Sequence, residues 1–148
     1  RDPQLDVPVV LKLGQQICAG LGAAHAVGAV HRDVKPANIF IQADWEVKLV
    51  DFGVAKQRDV KMGTTVAVGT PLYMCPDYLR KGPRGDGDPR WDLYAVGMVL
   101  YQCIRGIHPF LTGSDPYLSV GAIVTKHLME PIPPLSEVAP HCPPRVSA

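Results

Sequence analysis

His31-Arg32-Asp33-Val34-Lys35-Pro36-Ala37-Asn38 is followed, thirteen positions after Asn38, by Asp51-Phe52-Gly53. Between the two clusters lie the apolar runs Ile39-Phe40-Ile41 and Val47-Lys48-Leu49-Val50, separated by Gln42-Ala43-Asp44-Trp45-Glu46. Two short strand-forming runs around a polar turn read as a β-hairpin. A hairpin returns the chain to the end from which it set out, so Asn38 and Asp51 are expected at the same end of a small sheet. Asn38 offers a carboxamide oxygen and Asp51 a carboxylate, both hard ligands suited to Mg²⁺. Asp33 and Lys35 flank that end with an acid and a cation.

Working outward, Val10, Leu13, Ile17, Leu21 and Ala24 recur at three and four residues, the stripe of an amphipathic helix. Asp6 is placed to cap it, Pro8 suits its first turn, and Gly28 suits its end. Residues 54–70 have weak periodicity and read as a loop. Arg80 to Arg90 is polar and Gly/Pro-rich, a surface loop. Asp92 to Arg105 is apolar over most of its circumference, which predicts a central helix closed by Gly106. A further helix is expected over Tyr117–Met129. From Pro131 the chain is broken by Pro133, Pro134, Pro140, Pro143 and Pro144 and reads as extended loop.

At 148 residues the chain is about one domain long, and 47% hydrophobic against 20% charged residues exclude a disordered chain. A net charge of +1 gives no reason to expect a nucleic-acid partner. Cys18, Cys75, Cys103 and Cys142 are scattered without a Cys-x-x-Cys pair. That pattern argues against a zinc site or disulfide framework and suits a reducing, cytoplasmic setting. No uninterrupted apolar run approaches the roughly 18 residues of a membrane span, and no signal peptide is visible.

Phosphoryl transfer requires positioning and charge stabilisation more than covalent participation by protein. Asp33 can accept or orient the proton of an attacking hydroxyl, and Lys35, two residues on in an extended loop, can reach a transferring phosphate. His-Arg-Asp-x-Lys-x-x-Asn with Asp-Phe-Gly one hairpin later resembles the protein kinase family, in its Ser/Thr-specific, bacterial-like branch. The resemblance covers the whole chain.

It implies an α+β, mostly α fold: the C-terminal lobe of a kinase, with a short hairpin carrying the catalytic and metal-binding loops. It divides residues 1–148 into a catalytic loop 31–38, a metal-binding element 51–53, an activation segment 51–77 and a central helix at about 91–105. The expected reaction moves the γ-phosphate of ATP, with Mg²⁺, to Ser or Thr hydroxyls of a protein substrate. Asp33 and Lys35 are then catalytic, and Asn38 and Asp51 hold the metal. Phe40 lies under the adenine ring. Arg32 is regulatory, binding a phosphate on Thr64 or Thr65. Thr70, in Gly69-Thr70-Pro71-Leu72-Tyr73-Met74, belongs to the substrate site. His25 and Asp92 are a structural pair, and His31 and Phe52 stack in an apolar column. A buried Asp92 must be satisfied, so it is expected to accept backbone N–H groups of the loop. His127 and His141 are expected at the surface.

The chain departs from the family where Ala-Pro-Glu stands as Cys75-Pro76-Asp77, and it holds no Gly-x-Gly-x-x-Gly loop and no Val-Ala-x-Lys strand. The N-terminal lobe is therefore expected outside these residues, as a partner in cis, with the last helices also beyond them. The isolated chain is expected to be inactive. A competing reading is a pseudokinase or docking module that binds a protein without catalysis.

Overall fold

The computed structural model describes residues 5–52, 71–82, 87–112 and 118–147. Gly53, Thr64, Thr65 and Thr70 lie outside the described residues, so the expectations for them are not taken further.

Helix α1 spans Val7–Ala26, and Pro8 falls in its first turn, where a missing N–H costs nothing. The predicted stripe is its buried face: Val7, Val10, Leu13, Ile17 and Leu21. Asp6 occupies the N-cap position without a side-chain cap bond. Gly28, at φ +78°, takes the left-handed conformation just past the helix, and its N–H bonds the His25 carbonyl. The hairpin follows. Strands β1 (Ile39–Ile41) and β2 (Val47–Leu49) pair antiparallel in the register Ile39↔Leu49, Phe40↔Lys48, Ile41↔Val47. A 3₁₀ turn covers Pro36–Asn38 before β1, and another covers Pro71–Tyr73.

Helix α2 (Pro76–Lys81) and helix α3 (Pro89–Arg105) take over both ends of the stretch that composition assigns to a loop. The reason is the same at each start: proline at the first helical position is pre-set for the helix. Asp88 caps α3 by accepting the Arg90 N–H at 2.9 Å, and Gly106 closes it at φ +79°. Helix α3 buries Asp92, Ala95, Val96, Met98, Val99, Tyr101 and Ile104 but leaves Leu93 51% exposed. It is therefore less evenly buried than its composition suggests. Helix α4 (Val120–Met129) starts later than predicted, where the Ser119 hydroxyl accepts the Ala122 N–H at 3.2 Å. The proline-rich end is not wholly extended. It holds two single-turn helices, α5 (Leu135–Val138) and α6 (Pro144–Ser147).

The core lies between α1 and α3 and has two centres. Val7, Val10, Ile104, Ala139 and Cys142 make one, which ties the C-terminal turns to the base of the helix pair. Ile17, Leu21, Val34, Ala95 and Val96 make the other, under the hairpin and against Ile39, Val47 and Leu49. Each buried aliphatic side chain contributes roughly 1.5–3 kcal/mol relative to exposure. Gly14 lets the helices close: a Cβ there would sit 2.8 Å from Leu100 Cδ1. By length and composition α1 could cross a membrane, the one such helix among the described residues. In this fold its Val10 and Leu21 are fully buried.

Candidate active site

Loop 31–38 begins at a strained residue. Arg32 has φ +66° and Asp51 φ +62°, left-handed values that cost a non-glycine residue about 1–2 kcal/mol. Such geometry persists only where surroundings enforce it. Asp92 supplies the enforcement for Arg32. Its carboxylate, 1% exposed, accepts His31 N–H on Oδ2 and Arg32 N–H on Oδ1, both at 2.8 Å. His25 Nε2 donates to Oδ2 at 2.7 Å. Three donors satisfy the buried anion, and the carboxylate holds two successive backbone amides at the start of the loop.

His31 carries the restraint across to Asp51. Its Nε2–H donates to the Val50 carbonyl at 2.9 Å, while Nδ1 accepts Asp33 N–H at 3.3 Å. The partners dictate that tautomer, since a carbonyl only accepts and an amide N–H only donates. The ring is wholly buried and stacks against Phe52 at 4.4 Å. Phe52 itself is 40% exposed.

Around Asp33 the polar groups converge. Lys35 Nζ donates to Asp33 Oδ2 at 2.7 Å. Asn38 Nδ2 donates to the same oxygen at 3.0 Å and to the Asp33 carbonyl at 2.8 Å. The Asp33 and Lys35 side chains are 34% and 24% exposed, so their ion pair contributes at most about 1 kcal/mol to stability. Its consequence is orientation. Val50 N–H donates to the Asn38 carbonyl at 3.1 Å, extending the hairpin ladder by one step. Asn38 and Val50 thus face each other at the end of the sheet where Asp33 lies, and Asp51 follows directly.

With its side-chain amide nitrogen committed to Asp33, Asn38 keeps its side-chain oxygen Oδ1 as a candidate ligand atom. That oxygen and the Asp51 carboxylate are donors of the kind Mg²⁺ takes alongside phosphate oxygens and water, and could hold it. Among the described residues, no three His, Cys, Asp or Glu side chains gather as a closed metal cage. An open, two-ligand site fits a metal that arrives with a nucleotide. Phe40 is 56% exposed on β1, beside the equally open Ile41 and Trp45.

The cleft on the other side of Asp33 is walled by Arg32, Tyr73, Met74, Cys75, Tyr78 and Trp91. Tyr78 and Trp91 meet edge to face at 5.0 Å. Burial raises the Tyr78 phenol pKa, and the Arg32 guanidinium opposes that rise. Gly87 makes room for Arg32: a Cβ there would sit 2.9 Å from its Nε. Tyr73 hydroxyl donates to Gln102 Oε1 at 2.6 Å, fastening the cleft wall to α3.

Two features escaped the sequence reading. Gln16, on α1, holds the hairpin turn by its amide: Nε2 donates to the Trp45 carbonyl at 2.9 Å, and Oε1 accepts Val47 N–H at 3.1 Å. Trp45, at φ +66°, is the left-handed residue of that turn. His127, expected at the surface, is 5% exposed, because it follows buried Ile123 by one helical turn on the inner face of α4. His141 is exposed, as expected.

A strained loop anchored by a buried carboxylate, with an acid, a lysine, an asparagine and a further aspartate at one hairpin end, is an arrangement suited to phosphoryl transfer. Comparison with known proteins gives the family. The profile described as protein kinase domain matches residues 4–142. The chain belongs to the protein kinase family. It is 41% identical over 145 residues to serine/threonine-protein kinase PknH of Mycobacterium tuberculosis (strain ATCC 25618 / H37Rv), covering 94% of this chain and 21% of that protein. It is 43% identical over 140 residues to serine/threonine-protein kinase Pkn1 of Myxococcus xanthus, covering 88% and 19%. With serine/threonine-protein kinase PknL of M. tuberculosis (strain ATCC 25618 / H37Rv) it shares 40% over 138 residues, covering 92% and 33%. The chain thus spans between about a fifth and a third of the length of these relatives.

Proposed function

We propose that this chain is the lobe of a Ser/Thr protein kinase that carries the catalytic loop, and that the protein containing it transfers the ATP γ-phosphate to Ser or Thr hydroxyls of protein substrates. The observation that carries this reading is the convergence of Lys35 Nζ and Asn38 Nδ2 on one oxygen of Asp33, at the sheet end where Asp51 begins. Asp33 orients the acceptor hydroxyl and takes its proton as the new oxygen–phosphorus bond forms and the bond from the γ-phosphorus to the bridging oxygen breaks, leaving ADP. Lys35 lies 2.7 Å from that carboxylate, within reach of the transferring phosphoryl group, whose charge it offsets. Asn38 and Asp51 would hold Mg²⁺, which when bound neutralises charge on the phosphates. The Asp92 anchor keeps the loop from reorganising as the charge moves.

The 148 residues hold no glycine-rich phosphate clamp, so the chain by itself is expected to transfer no measurable phosphate. Joined to the nucleotide-covering lobe of a bacterial relative, it should phosphorylate a generic protein substrate in a Mg²⁺-dependent manner. Asp33→Ala should lower kcat of that form by at least about 10³-fold. Activity that survives Asp33→Ala would overturn the assignment. Binding of Mg²⁺–ATP without transfer would favour the pseudokinase or docking module.

A further inference from the structure

Away from the Asp33 cluster, two buried histidines share a single acceptor. His108, in the turn after α3, and His127, near the end of α4, both donate Nε2–H to the Leu72 carbonyl, at 2.7 Å and 2.9 Å. They are 1% and 5% exposed, with ring centroids 6.2 Å apart. A carbonyl oxygen has two lone pairs, and here each takes a donor. The far nitrogens are also engaged. His108 Nδ1 accepts Phe110 N–H at 3.3 Å, and His127 Nδ1 faces the Tyr94 hydroxyl at 2.7 Å. Phe110 packs edge-on against His127 and Tyr73 edge-on against His108, so neither ring is free to turn.

Leu72 sits in the 3₁₀ turn Pro71–Tyr73, and Tyr73 and Met74 wall the cleft beside Asp33. The double donor therefore fixes one wall of the cleft from behind, and His108 also packs against its Tyr73 ring.

We propose that His108 and His127 are positioning residues that pin the Leu72 carbonyl, so that the wall facing a protein substrate keeps its place only while both rings are neutral. The word substrate here rests on the kinase reading, whereas the pin itself does not.

Protonating His108 would set an Nδ1–H against the Phe110 N–H, two donors with no acceptor between them. Protonating His127 is milder, since the Tyr94 oxygen can turn to accept. The groups facing the pair discourage a charge. From α3, the Arg105 guanidinium donates to the carbonyls of His108 and Pro109 at 3.2 Å and 2.9 Å, and Tyr94 is a phenol pushed up to about 12 by burial. From the cleft wall come Tyr73 and, acting on Tyr94, Cys75. On α4, Lys126 pairs with Glu130. Burial correspondingly lowers His108 to about 4 and lowers His127 in the same direction.

The test is NMR on the full chain, with ¹⁵N-labelled histidine and ¹³C-carbonyl-labelled leucine, between pH 7.5 and 4.5. Both rings should show the Nε2–H tautomer and stay neutral through pH 6.5, and the Leu72 carbonyl should move only with them. Either ring titrating at its ordinary value would overturn the pin. His127→Phe, which removes a donor, should speed hydrogen exchange of the Met74 amide at least tenfold while amides in mid-α1 stay within twofold. His127→Gln, which keeps a donor at the same reach, should restore protection. Equal exchange in the Phe and Gln variants would also overturn it. In the lobe-joined form, His127→Phe should raise KM for peptide and leave KM for ATP unchanged. An unchanged peptide KM in an active enzyme would remove the substrate role, whereas an inactive enzyme would count against the kinase reading and leave the NMR result standing.

Discussion

Two walls of the same cleft are held in different ways. Loop 31–38 is anchored by a buried anion: Asp92 accepts two backbone N–H groups and His25, and holds Arg32 in a left-handed conformation. The 71–74 wall is anchored by neutral donors: His108 and His127 share the Leu72 carbonyl. In the proposed reaction charge moves beside the loop, and a rigid ionic anchor with three donors on its carboxylate suits that. The opposite wall, which the proposed function turns towards a protein substrate, is fastened by imidazoles, whose donor pattern changes when they gain a proton. Both anchors reach α3, through Asp92 and Tyr94, which makes that helix the common frame.

The largest effect should come from breaking the ionic anchor. Asp92→Asn presents an N–H where the loop requires an acceptor, leaving one buried amide unpaired while Arg32 stays strained. A loss of about 3–5 kcal/mol is expected in urea unfolding of the chain. A loss under about 1 kcal/mol would mean that the loop geometry does not depend on Asp92.

Acid should act on the other wall. Unfolded histidine takes up a proton near pH 6.5, whereas folded His108 does so only at about 4. Its contribution is whole above pH 6.5 and is lost as pH falls from 6.5 towards 4, of order 3 kcal/mol across that window. His108→Gln should flatten this part of the stability–pH curve. The same steep fall in the variant would move its cause elsewhere.

A smaller effect sharpens the comparison on the loop side. Gln16→Ala removes the two bonds that hold the Trp45 turn, each worth about 1 kcal/mol. Stability should fall by about 1–2 kcal/mol, with exchange faster in β1 and β2 and unchanged at Met74. Faster exchange at both walls would show that they are not separately fastened.

The parts of this molecule that were legible in the sequence are those set by local rules. The α1 stripe, Gly28 and Gly106 mark helix faces and ends through periodicity and left-handed caps. The hairpin follows from two strand-forming runs around a polar turn. A carboxylate in the central helix had to find donors, and it found the loop amides. What stayed hidden depends on partners distant in the chain. Gln16 reads as an ordinary helix-surface residue until Trp45 and Val47, 29 and 31 positions on, arrive beside it. His127 reads as surface because its acceptor, Leu72, is 55 positions away. Its spacing from Ile123 was the available clue, as four residues on a helix share a face. The starts of α3 and α6 read as loop because proline weighs as a breaker, although it is well placed in a first turn.

The most direct test of the proposed metal site is paramagnetic broadening by Mn²⁺ in the presence of ATP, followed by NMR on the labelled chain. Convergence at the hairpin end predicts that the Asn38 side-chain amide and the Val50 and Asp51 backbone amides broaden first, and that Asp51→Asn removes the effect. Uniform broadening, or broadening centred on another part of the chain while Asn38 and Asp51 stay sharp, would contradict it.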